Sequence, residues 1–454
     1  MTDTISMPQL APGAIRKRNV FDVLEVLKSK DTFASKKPNI LVRVDFNVPT
    51  KDNGDGTLTI TDDSRIRGAL PTIRAITQGV HCNAILVSHM GRPKLVQKSA
   101  SADTDDAETA KQRRDLSLEP VADHLSKLMN TTVLFGADCM NAQDTVNQLP
   151  ASGGGICLLE NLRFYKQEEK NDKEFATKLA SYADAYVNDA FGTCHRAHAS
   201  VSGVPEQMPS ELCGIGCLVA SELAFLDFSN VGPQDKVAAI IGGSKVSTKL
   251  PVIKGILGSA QVLVLGGGLA FTFLKAKGVN IGNSLVEEDL VDTAKDLLQQ
   301  AEEQGKTIII PVDSVCSQEF PKAPMELTDT KTFEMTVEAG GIPDGWMGLD
   351  AGPQTLALIR EALTGSSKLV CNGPLGVFEV PPFDQGTRGL VQIMADLTKQ
   401  GTVTVVGGGD SVAALEAFGE TQAVSYVSTG GGATLELLAG DILPGVAAIA
   451  DYQA

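Results

Sequence analysis

The sequence predicts an α/β fold built on parallel sheets, because candidate strands alternate with candidate helices along the chain. Two observations carry this prediction. In the second half, several aliphatic runs end in glycines and lead directly into helix-like stretches. In the first half, polar residues cluster immediately after the candidate strands. A length of 454 residues predicts two or more domains, since a domain usually takes about 150 residues.

A strand-then-glycine unit recurs in the second half. The aliphatic runs and their glycines are Val237–Ile241 with Gly242-Gly243, Val262–Leu265 with Gly266-Gly267-Gly268, Val403–Val406 with Gly407-Gly408-Gly409, and Val424–Val427 with Gly430-Gly431-Gly432. The helix-like stretches that follow are Ser247–Leu257, Leu269–Lys277, Ser411–Phe418 and Thr434–Leu438. Glycines let the backbone approach a ligand closely, and helix N-termini present free N–H groups to phosphates. The unit therefore predicts a nucleotide site made largely from backbone.

The first half has strands that are each followed by polar residues. The candidate strands are Ile40–Phe46, Ala84–Val87, Thr132–Phe135, Ile156–Leu159 and Ala185–Val187. Ligands of open α/β sheets bind beyond the carboxyl ends of the strands. We therefore expect a set of polar residues to converge there: Asp45, Asn47, Arg65, His89, Arg92, Arg163 and Arg196. As a group these arginines suit an anionic substrate, whereas any one of them alone is more simply read as a surface residue.

Local patterns add further expectations for the first half. Alternation along the first strand predicts one buried face, with Val42, Val44 and Phe46, and one face that offers polar groups near the strand end, with Arg43, Asp45 and Asn47. Ser64–Gln78 has the apolar spacing of a helix, and Pro71 predicts a kink or break in it. Residues 94–114 are charged and poor in apolar side chains, which predicts a mobile surface loop. Cys213 and Cys217 lie in a helix-like run and predict buried thiols rather than a metal site.

Composition excludes several classes of protein. A net charge of −16 argues against nonspecific binding to nucleic acid or to anionic membranes. We expect no transmembrane segment and no secretory signal, because no apolar stretch has the necessary length or flanks. The eight cysteines are scattered, which predicts reduced thiols in a reducing compartment. His195 and His198 lack partners at zinc-ligand spacing, and no standard P-loop or G-x-G-x-x-G motif occurs.

Two features of the second half leave alternatives open. Lys245 and Lys249 share a helical face directly after a glycine turn, so phosphate contact and simple solvation are equally good readings. Asp410 follows the Gly407–Gly409 run. It is placed to hold a metal ion with a nucleotide phosphate, but a helix N-cap is the simpler role for an aspartate there.

Several long motifs, in order along the chain, resemble the phosphoglycerate kinase family from about residue 20 to the C-terminus. They are Val42-Arg43-Val44-Asp45-Phe46-Asn47-Val48-Pro49, Ser88-His89-Met90-Gly91-Arg92-Pro93, Glu160-Asn161-Leu162-Arg163-Phe164, Val187-Asn188-Asp189-Ala190-Phe191-Gly192-Thr193 with His195-Arg196-Ala197-His198, Gly345-Trp346-Met347-Gly348-Leu349-Asp350, Asn372-Gly373-Pro374-Leu375-Gly376-Val377-Phe378-Glu379 and Gly407-Gly408-Gly409-Asp410.

The resemblance implies two Rossmann-like domains, each a parallel sheet flanked by helices, joined by a helical hinge. It implies a phosphoglycerate-binding domain over residues 1–210, a hinge helix over 211–228, a nucleotide-binding domain over 229–438, and a tail over 439–454 that packs back on the first domain. The implied reaction is reversible phosphoryl transfer between 1,3-bisphosphoglycerate and ADP, giving 3-phosphoglycerate and ATP, by in-line transfer on hinge closure. Its setting would be glycolysis, gluconeogenesis or carbon fixation.

The resemblance also assigns residues to roles. Asp45, Asn47, Arg65, His89, Arg92, Arg163 and Arg196 would bind phosphoglycerate, while Arg65, Lys249, Gly408 and Gly431 would stabilise the transferring phosphoryl group. The nucleotide would be bound by Gly243, Ser244, Lys245, Lys249, Gly267, Gly268, Leu349, Asn372, Gly373, Pro374, Glu379, Gly409, Asp410 and Ser411. Within that set, Glu379 would contact the ribose and Asp410 would hold Mg²⁺. ATP or ADP is the implied co-substrate.

The chain departs from the family pattern at a few positions. Cys371 replaces a usual Trp, so we expect a void or a repacked core there. Cys194 replaces a usual Ala near the substrate loop, so we expect some sensitivity to thiol reagents. Ser244 replaces a usual Ala in the expected adenine pocket, where it would alter nucleotide preference.

Two other functions stay open at this point. A dehydrogenase is disfavoured by the missing dinucleotide motif and by the arginine set. A catalytically silent relative that only binds nucleotide or a partner is disfavoured because Arg65, Lys249 and Asp410 are all present. We expect a monomer, because the family is usually monomeric and no apolar seam is visible. We expect it in the cytoplasm, with a processed plastid form as the alternative.

Overall fold

The computed structural model describes residues 16–30, 36–98, 105–226, 235–321 and 329–452. The chain divides into two compact units. The first comprises Met1–Ala224 with Ile442–Ala454, and the second comprises Phe225–Asp441. Each unit is built on a six-stranded sheet in which every pairing is parallel. The predicted α/β class with parallel sheets flanked by helices is therefore confirmed.

The first unit contains a parallel sheet and a small antiparallel hairpin. Its strands are β1 (Asn39–Val44), β2 (Thr50–Asp52), β3 (Leu58–Ile60), β4 (Asn83–Val87), β5 (Val133–Gly136), β6 (Ile156–Leu159), β7 (Ala185–Asp189) and β8 (Cys213–Ile215). The order across the large sheet is β5-β6-β4-β1-β7-β8, and β2 pairs with β3. All five predicted strands of this half are present, with ends that shift by no more than a few residues.

Strand β1 lies at the centre of the sheet and is buried on both sides. All six of its residues are buried, including Arg43, whose exposed fraction is 0%. The prediction of one buried and one polar face is therefore wrong for the strand itself. Parallel sheets are covered by helices on both faces, and the polar residues Asp45 and Asn47 come only after the strand has ended.

The helices of the first unit pack around this sheet. They are α1 (Val20–Lys28), α2 (Ser64–Arg74), α3 (Ala107–Asp115), α4 (Glu119–Met129), α5 (Gln143–Asn147), α6 (Lys166–Glu169), α7 (Lys173–Ala180), α8 (Val204–Glu206) and α9 (Cys217–Leu226). Two π-helical turns cover residues Ala75–Gly79 and Ala199–Gly203. Residues of α1, α2 and α4 share one apolar core with β1, β4 and β6.

Helix α2 runs through Pro71 without a break. It remains α-helical to Arg74 and then continues as the π turn that begins at Ala75. Leu70 and Ile73 on either side of the proline are buried in the core. Their burial outweighs the loss of the one hydrogen bond that a proline cannot donate. The predicted helix is thus confirmed, and the predicted break is wrong.

Two segments fold differently from the sequence expectation. Part of residues 94–114 is helical, because Asp106 caps α3 by accepting a hydrogen bond from the Thr109 N–H at 2.8 Å. The loop prediction is wrong for that helix, and its residues 99–104 lie outside the described residues. The helix-like run that contains Cys213 is an edge strand, β8, where Gly214 lies against the backbone of Asn19. The helix expected over 211–228 begins only at Cys217.

The second unit repeats the alternation of strand and helix. Its strands are β9 (Val237–Ile241), β10 (Val262–Leu265), β11 (Thr307–Ile309), β12 (Asp313–Ser317), β13 (Thr330–Glu334), β14 (Met347–Ala351), β15 (Lys368–Asn372), β16 (Val403–Gly407) and β17 (Tyr426–Val427). The parallel sheet has the order β11-β10-β9-β15-β16-β17, and β13-β12-β14 form a separate antiparallel sheet.

Helices follow the glycine turns of the second unit as predicted. The helices of this unit are α10 (Val246–Ser259), α11 (Leu269–Ala276), α12 (Val291–Glu303), α13 (Pro353–Leu363), α14 (Gln385–Lys399), α15 (Gly409–Phe418) and α16 (Gly432–Leu438). Helices α10, α11, α15 and α16 come directly after β9, β10, β16 and β17. Their N-termini therefore lie at the carboxyl edge of the parallel sheet, where phosphates bind most favourably.

The chain returns to the first unit after Asp441 and forms α17 (Pro444–Ala447). Gly445 donates its N–H to the Cys194 carbonyl at 2.8 Å and accepts from the Asn188 amide at 3.2 Å. A Cβ on Gly445 would lie 2.5 Å from a methyl group of Val201. The last turn of the chain thus packs closely against the loop that follows β7.

We expect Gly445→Ala to destabilise the first unit by about 1–3 kcal/mol, because the added methyl group overpacks this contact. Gly79→Ala is the control, since a Cβ there meets no atom within 4 Å. The measurement is the midpoint of urea denaturation, monitored by hydrogen–deuterium exchange in peptides that contain β7, so that it reports on the first unit. An unchanged midpoint for Gly445→Ala would contradict the tight packing.

Candidate active site

Asp45 and Arg65 are paired at the carboxyl edge of the first sheet. Asp45 follows β1, and Arg65 lies in the first turn of α2. An Arg65 Nη1 donates to an Asp45 carboxylate oxygen at 2.9 Å, with side chains that are 36% and 10% exposed. The guanidinium keeps its remaining donors, so a bound anion can still be recognised by them.

The loops after β1, β4 and β6 are joined by side-chain hydrogen bonds to the backbone. Asn47 accepts the Gly91 N–H at 2.9 Å, and Arg163 donates to the Gly91 carbonyl at 2.9 Å. Asn161 accepts the N–H groups of Met90 and Arg163 at 3.1 and 3.0 Å. These bonds fix Arg163 next to the loop that carries His89 and Arg92.

His89 is buried within a cationic cluster. Its Nδ1 lies 3.1 Å from an Nη of Arg43, which is a donor only, so Nδ1 accepts this hydrogen bond. Burial first, and then the charges of Arg43, Arg163 and Arg65, lower the pKa of His89 well below its usual value. The imidazole is therefore neutral near pH 7 and carries its proton on Nε2.

Six of the seven predicted substrate residues are linked by these contacts and charges. Burial lowers the pKa of Arg163, and the nearby positive charge of Arg196 lowers it further. The Nε of Arg196 donates to His195 at 3.0 Å. Arg92 is exposed on the loop after β4, and within the described ranges no side-chain hydrogen bond or ion pair joins it to the other predicted residues. The structure therefore brings together Asp45, Asn47, Arg65, His89, Arg163 and Arg196.

Arg43 is the residue that the sequence interpretation missed. It appears in the motif around Asp45, and the alternation placed it on the polar face of the strand, but it was given no role. The structure buries it completely, against His89. A charged residue inside an aliphatic strand was the available signal, since buried arginines are rare unless they have partners.

In the second unit, Lys249 reaches the end of β15. Its ammonium group donates to the amide oxygen of Asn372, the last residue of that strand. Burial lowers the pKa of Lys249, and the carboxylate of Asp410 opposes this effect. The amide nitrogen of Asn372 is buried and has no hydrogen-bond partner among the described residues. A Cβ on Gly408 would lie 3.0 Å from Asn372, so these four residues are neighbours.

Glycines let the neighbouring turns of this sheet edge approach one another. A Cβ on Gly242 would lie 2.1 Å from the Pro374 carbonyl oxygen, and Gly373 has a φ of +112°. A Cβ on Gly267 would lie 2.7 Å from the Gly243 carbonyl oxygen. The Gly373 N–H donates to the Ser411 hydroxyl at 2.6 Å. The turns after β9, β10, β15 and β16 therefore form one continuous backbone surface.

The remaining predicted nucleotide residues differ in exposure. Ser244, Lys245, Glu379 and Asp410 are exposed, whereas Leu349 is only 7% exposed. Gly268 adjoins Ser244, since a Cβ on it would lie 3.0 Å from the Ser244 carbonyl oxygen. Gly409 opens α15, and Gly431 takes a φ of +53° just before α16.

Asp410 does not cap helix α15. Gly408 occupies the N-cap position, and Asp410 lies inside the first turn. The simpler N-cap reading of Asp410 is therefore wrong. The described residues contain no cluster of three or more His, Cys, Asp or Glu side chains suited to a metal ion. A single carboxylate at a helix N-terminus fits Mg²⁺ that is held mainly by nucleotide phosphates and water.

A cavity of about 700 Å³ lies elsewhere in the first unit, beyond β5 and β6. Its walls include Arg113, Asp138, Glu160, Phe164 and Tyr165. None of the predicted substrate residues lines it. A search for the site by cavity size alone would therefore not have found the cationic cluster around His89.

The comparisons with known proteins agree with this geometry. The family model described as phosphoglycerate kinase matches residues 30–441. A phosphoglycerate kinase from a Nostoc species is 47% identical over 409 residues, which cover 90% of this chain and 94% of that protein. One from Synechococcus elongatus is 46% identical over 91% of this chain and 95% of its own length.

Solved structures are similar over the same span. The phosphoglycerate kinase of Coxiella burnetii has a TM-score of 0.77 and 36% identity, covering 91% of this chain and 96% of that chain. The enzyme from Pyrococcus horikoshii has a TM-score of 0.69 and 28% identity, covering 92% and 97%. The chain belongs to the phosphoglycerate kinase family. Its activity is that of a phosphotransferase that uses a nucleotide co-substrate, so the dehydrogenase alternative is wrong.

None of the helices in the described ranges has the length and apolar character needed to cross a membrane.

The family's usual Trp is replaced by Cys371 without leaving a large void. Cys371 is buried, and the cavity beside it measures only about 10 Å³. Leu390, Met394 and Val406 are among the side chains that line it. This volume is at the lower limit for one water molecule, so the neighbouring apolar side chains occupy most of the space.

Cys194, the other cysteine that departs from the phosphoglycerate kinase pattern, is inaccessible. It is fully buried, and burial raises the pKa of its thiol to about 12. The expected sensitivity of this residue to thiol reagents is therefore wrong, because the reactive thiolate is scarce and unexposed. All eight cysteines are buried and free.

We expect the native chain to react very slowly with Ellman's reagent at pH 8. Burial raises the pKa of the Cys194 thiol to about 12, so very little of it is ionised at that pH. The same chain in guanidinium should release all eight thiols, which provides the control. Rapid labelling of Cys194 in the native chain, located by peptide mass spectrometry, would contradict the buried placement.

Proposed function

We propose that the chain transfers a phosphoryl group reversibly between 1,3-bisphosphoglycerate and ADP, and that Arg65 and Lys249 stabilise the group in transit. The observation that carries the assignment of Lys249 is its placement beside the turn at Gly408 and beside the buried amide nitrogen of Asn372, which has no hydrogen-bond partner in the part of the chain that the structure describes. A lysine, a free amide donor and a helix N-terminus at one point suit the phosphates of a nucleotide.

The phosphoglycerate site is proposed at the carboxyl edge of the first sheet. Its residues are Asp45, Asn47, Arg65, His89, Arg92, Arg163 and Arg196. The arginines supply positive charge, and the neutral His89 supplies an Nε2–H donor. Asp45 both orients Arg65 and offers an acceptor for a hydroxyl group of the substrate.

The nucleotide site is proposed at the carboxyl edge of the second sheet. Its residues are Gly243, Ser244, Lys245, Lys249, Gly267, Gly268, Leu349, Asn372, Gly373, Pro374, Glu379, Gly409, Asp410 and Ser411. The close glycine turns leave room for the base and sugar against backbone, and Glu379 is an exposed acceptor for ribose hydroxyls. Asp410 is the proposed ligand for Mg²⁺, which would neutralise phosphate charge when bound with the nucleotide.

The chemistry places modest demands on the protein. The acceptor is the carboxylate of 3-phosphoglycerate, which is already ionised at neutral pH and needs no general base. The protein must align the carboxylate with the γ-phosphoryl group and offset the charge on its oxygens. Arg65, Lys249 and the backbone N–H groups at Gly408 and Gly431 are proposed for the second task.

We also propose a division of labour along the chain. Residues 1–210 would bind phosphoglycerate, 211–228 would act as the hinge, 229–438 would bind nucleotide, and 439–454 would complete the first domain. A cytoplasmic monomer is the proposed state. The acidic net charge and the eight reduced thiols support it, and light scattering on the purified chain tests the monomer.

Arg65→Ala should lower kcat by about 10²–10³-fold and leave the Kd for ATP nearly unchanged, because a donor to the transferring group is lost from the first unit only. Arg67→Ala is the matched control, since Arg67 lies on the same helix and pairs with Asp63. The measurement is ATP-dependent phosphorylation of 3-phosphoglycerate, coupled to reduction of the product. A wild-type kcat in Arg65→Ala would refute this role.

Lys249→Ala should abolish most of the turnover in the same assay, with a kcat loss of about 10²-fold or more, because its charge faces the phosphates. Lys254→Ala, an exposed lysine on the same helix, should behave as wild type. If the wild-type chain itself bound ATP without turnover, the silent nucleotide-binding relative would replace the proposed enzyme.

A further inference from the structure

We propose that Ser200 and Glu168 are positioning residues for phosphoglycerate binding: they hold the Arg43 guanidinium so that it directs the hydrogen bonding of His89. Neither residue is among the predicted substrate residues. The inference deepens the proposed function, because it rests on the placement of His89 in the phosphoglycerate site.

Arg43 is held from three sides inside the first unit. Its Nε donates to the Ser200 hydroxyl at 2.9 Å, one Nη donates to the Val44 carbonyl, and the other donates to His89 Nδ1 at 3.1 Å. Its side chain is fully buried. An arginine in this position is costly to bury, so these bonds compensate for its lost hydration and fix its position.

A carboxyl group, Glu168, lies one step further from the site. Burial raises the pKa of Glu168, and the charge of Arg43 and the hydrogen bonds from Ser200 oppose that rise and favour its ionised form. Glu168 is fully buried on α6 and accepts the Ser200 N–H at 2.9 Å and the Ser200 hydroxyl at 2.6 Å. The Ser200 hydroxyl therefore accepts a hydrogen bond from Arg43 and donates one to Glu168. Ser200 lies in the π turn Ala199–Gly203, which directs both the N–H and the hydroxyl of Ser200 toward Glu168.

The chain of hydrogen bonds from Glu168 through Ser200 to Arg43, called the relay below, determines which nitrogen of His89 carries the proton. Charged and titratable groups face this imidazole from each side: Arg43 from β1, Arg163 from the loop after β6, Arg65 from α2, and His198 from the loop after β7. Only Arg43 bonds directly to its Nδ1 among them. With Nδ1 occupied, the proton stays on Nε2, and Nε2 is the nitrogen left to donate to an anion.

Loss of the Ser200 hydroxyl would disconnect Arg43 from Glu168. Arg43 could then move, and His89 would lose the bond that selects its tautomer. Ser200→Ala is expected to raise KM for 3-phosphoglycerate about tenfold, the cost of one hydrogen bond to a charged group. KM for ATP and kcat should change less than about twofold, because no group near the nucleotide is affected.

The chain supplies a matched control two residues away. Ser202 lies on the same π turn, is buried, and its hydroxyl has no hydrogen-bond partner among the described residues. Ser202→Ala should leave KM for 3-phosphoglycerate unchanged, and Ser200→Thr, which keeps a hydroxyl, should restore most of the affinity. Glu168→Gln should also raise KM for 3-phosphoglycerate. The Glu168→Gln/Ser200→Ala double variant should raise this KM little more than either single variant does, because both changes break the same chain of hydrogen bonds.

A measurement without substrate separates this inference from the proposed function. The chain has five histidines, so ¹⁵N-edited NMR of the imidazoles can be assigned with His89→Gln. Wild-type His89 should show the Nε2–H tautomer and no titration between about pH 6 and 8. In Ser200→Ala the two tautomers should mix, while burial should still keep the pKa of His89 below its usual value.

Particular results would overturn the proposal. A wild-type His89 that carries its proton on Nδ1 would show that Arg43 does not direct its hydrogen bonding. An equal rise in KM for Ser202→Ala would show that packing of the π turn, rather than the relay, is responsible. If the NMR result held but His89→Gln left KM for 3-phosphoglycerate unchanged, the substrate role of His89 would fail while its link to Arg43 stood.

Discussion

Parallel pairing of buried strands is the constraint on which both candidate sites depend. Strand β1 lies between β4 and β7, with Val42 opposite Leu86 and Val187. Strand β15 lies in the same way between β9 and β16, with Asn372 opposite Ile241 and Gly407. Because paired strands run in one direction, every strand delivers its following loop to the same edge of the sheet. Residues far apart in sequence become neighbours there without any long loop.

Burial at these edges controls charge as well as position. His89 is neutral because desolvation and surrounding arginines oppose a further positive charge. Lys249 is held near Asn372 in partly desolvated surroundings, with Asp410 favouring its charged form. The fully buried pair Arg43 and Glu168 is bridged by a serine hydroxyl rather than joined directly. Low-dielectric surroundings make each hydrogen bond in these clusters matter, since an unpaired buried charge is costly.

Glycines let the backbone turns at the edge of the second sheet lie close together. The turns at Gly242 and Gly373 approach so closely that a side chain on the first would collide with a carbonyl oxygen of the second turn. The same spacing aligns the N-termini of α10, α11, α15 and α16 along one edge. Because this surface is formed by several short turns, it needs no single phosphate-binding loop, and the chain contains no standard motif for one.

The sequence alone determined the class of fold, the strands that end in glycines and the family, because aliphatic runs, glycine turns and long motifs are local patterns. It also singled out the residues of both edges, such as Asp45 and Asn372. Tertiary structure decided what periodicity cannot express. Alternation placed Arg43 on the polar face of its strand, but helices on both sides of the sheet bury it. Cys194 looked reactive, and α3 looked like a loop. In each case the outcome depends on which distant segment covers the residue or caps the helix, and sequence spacing carries no such information.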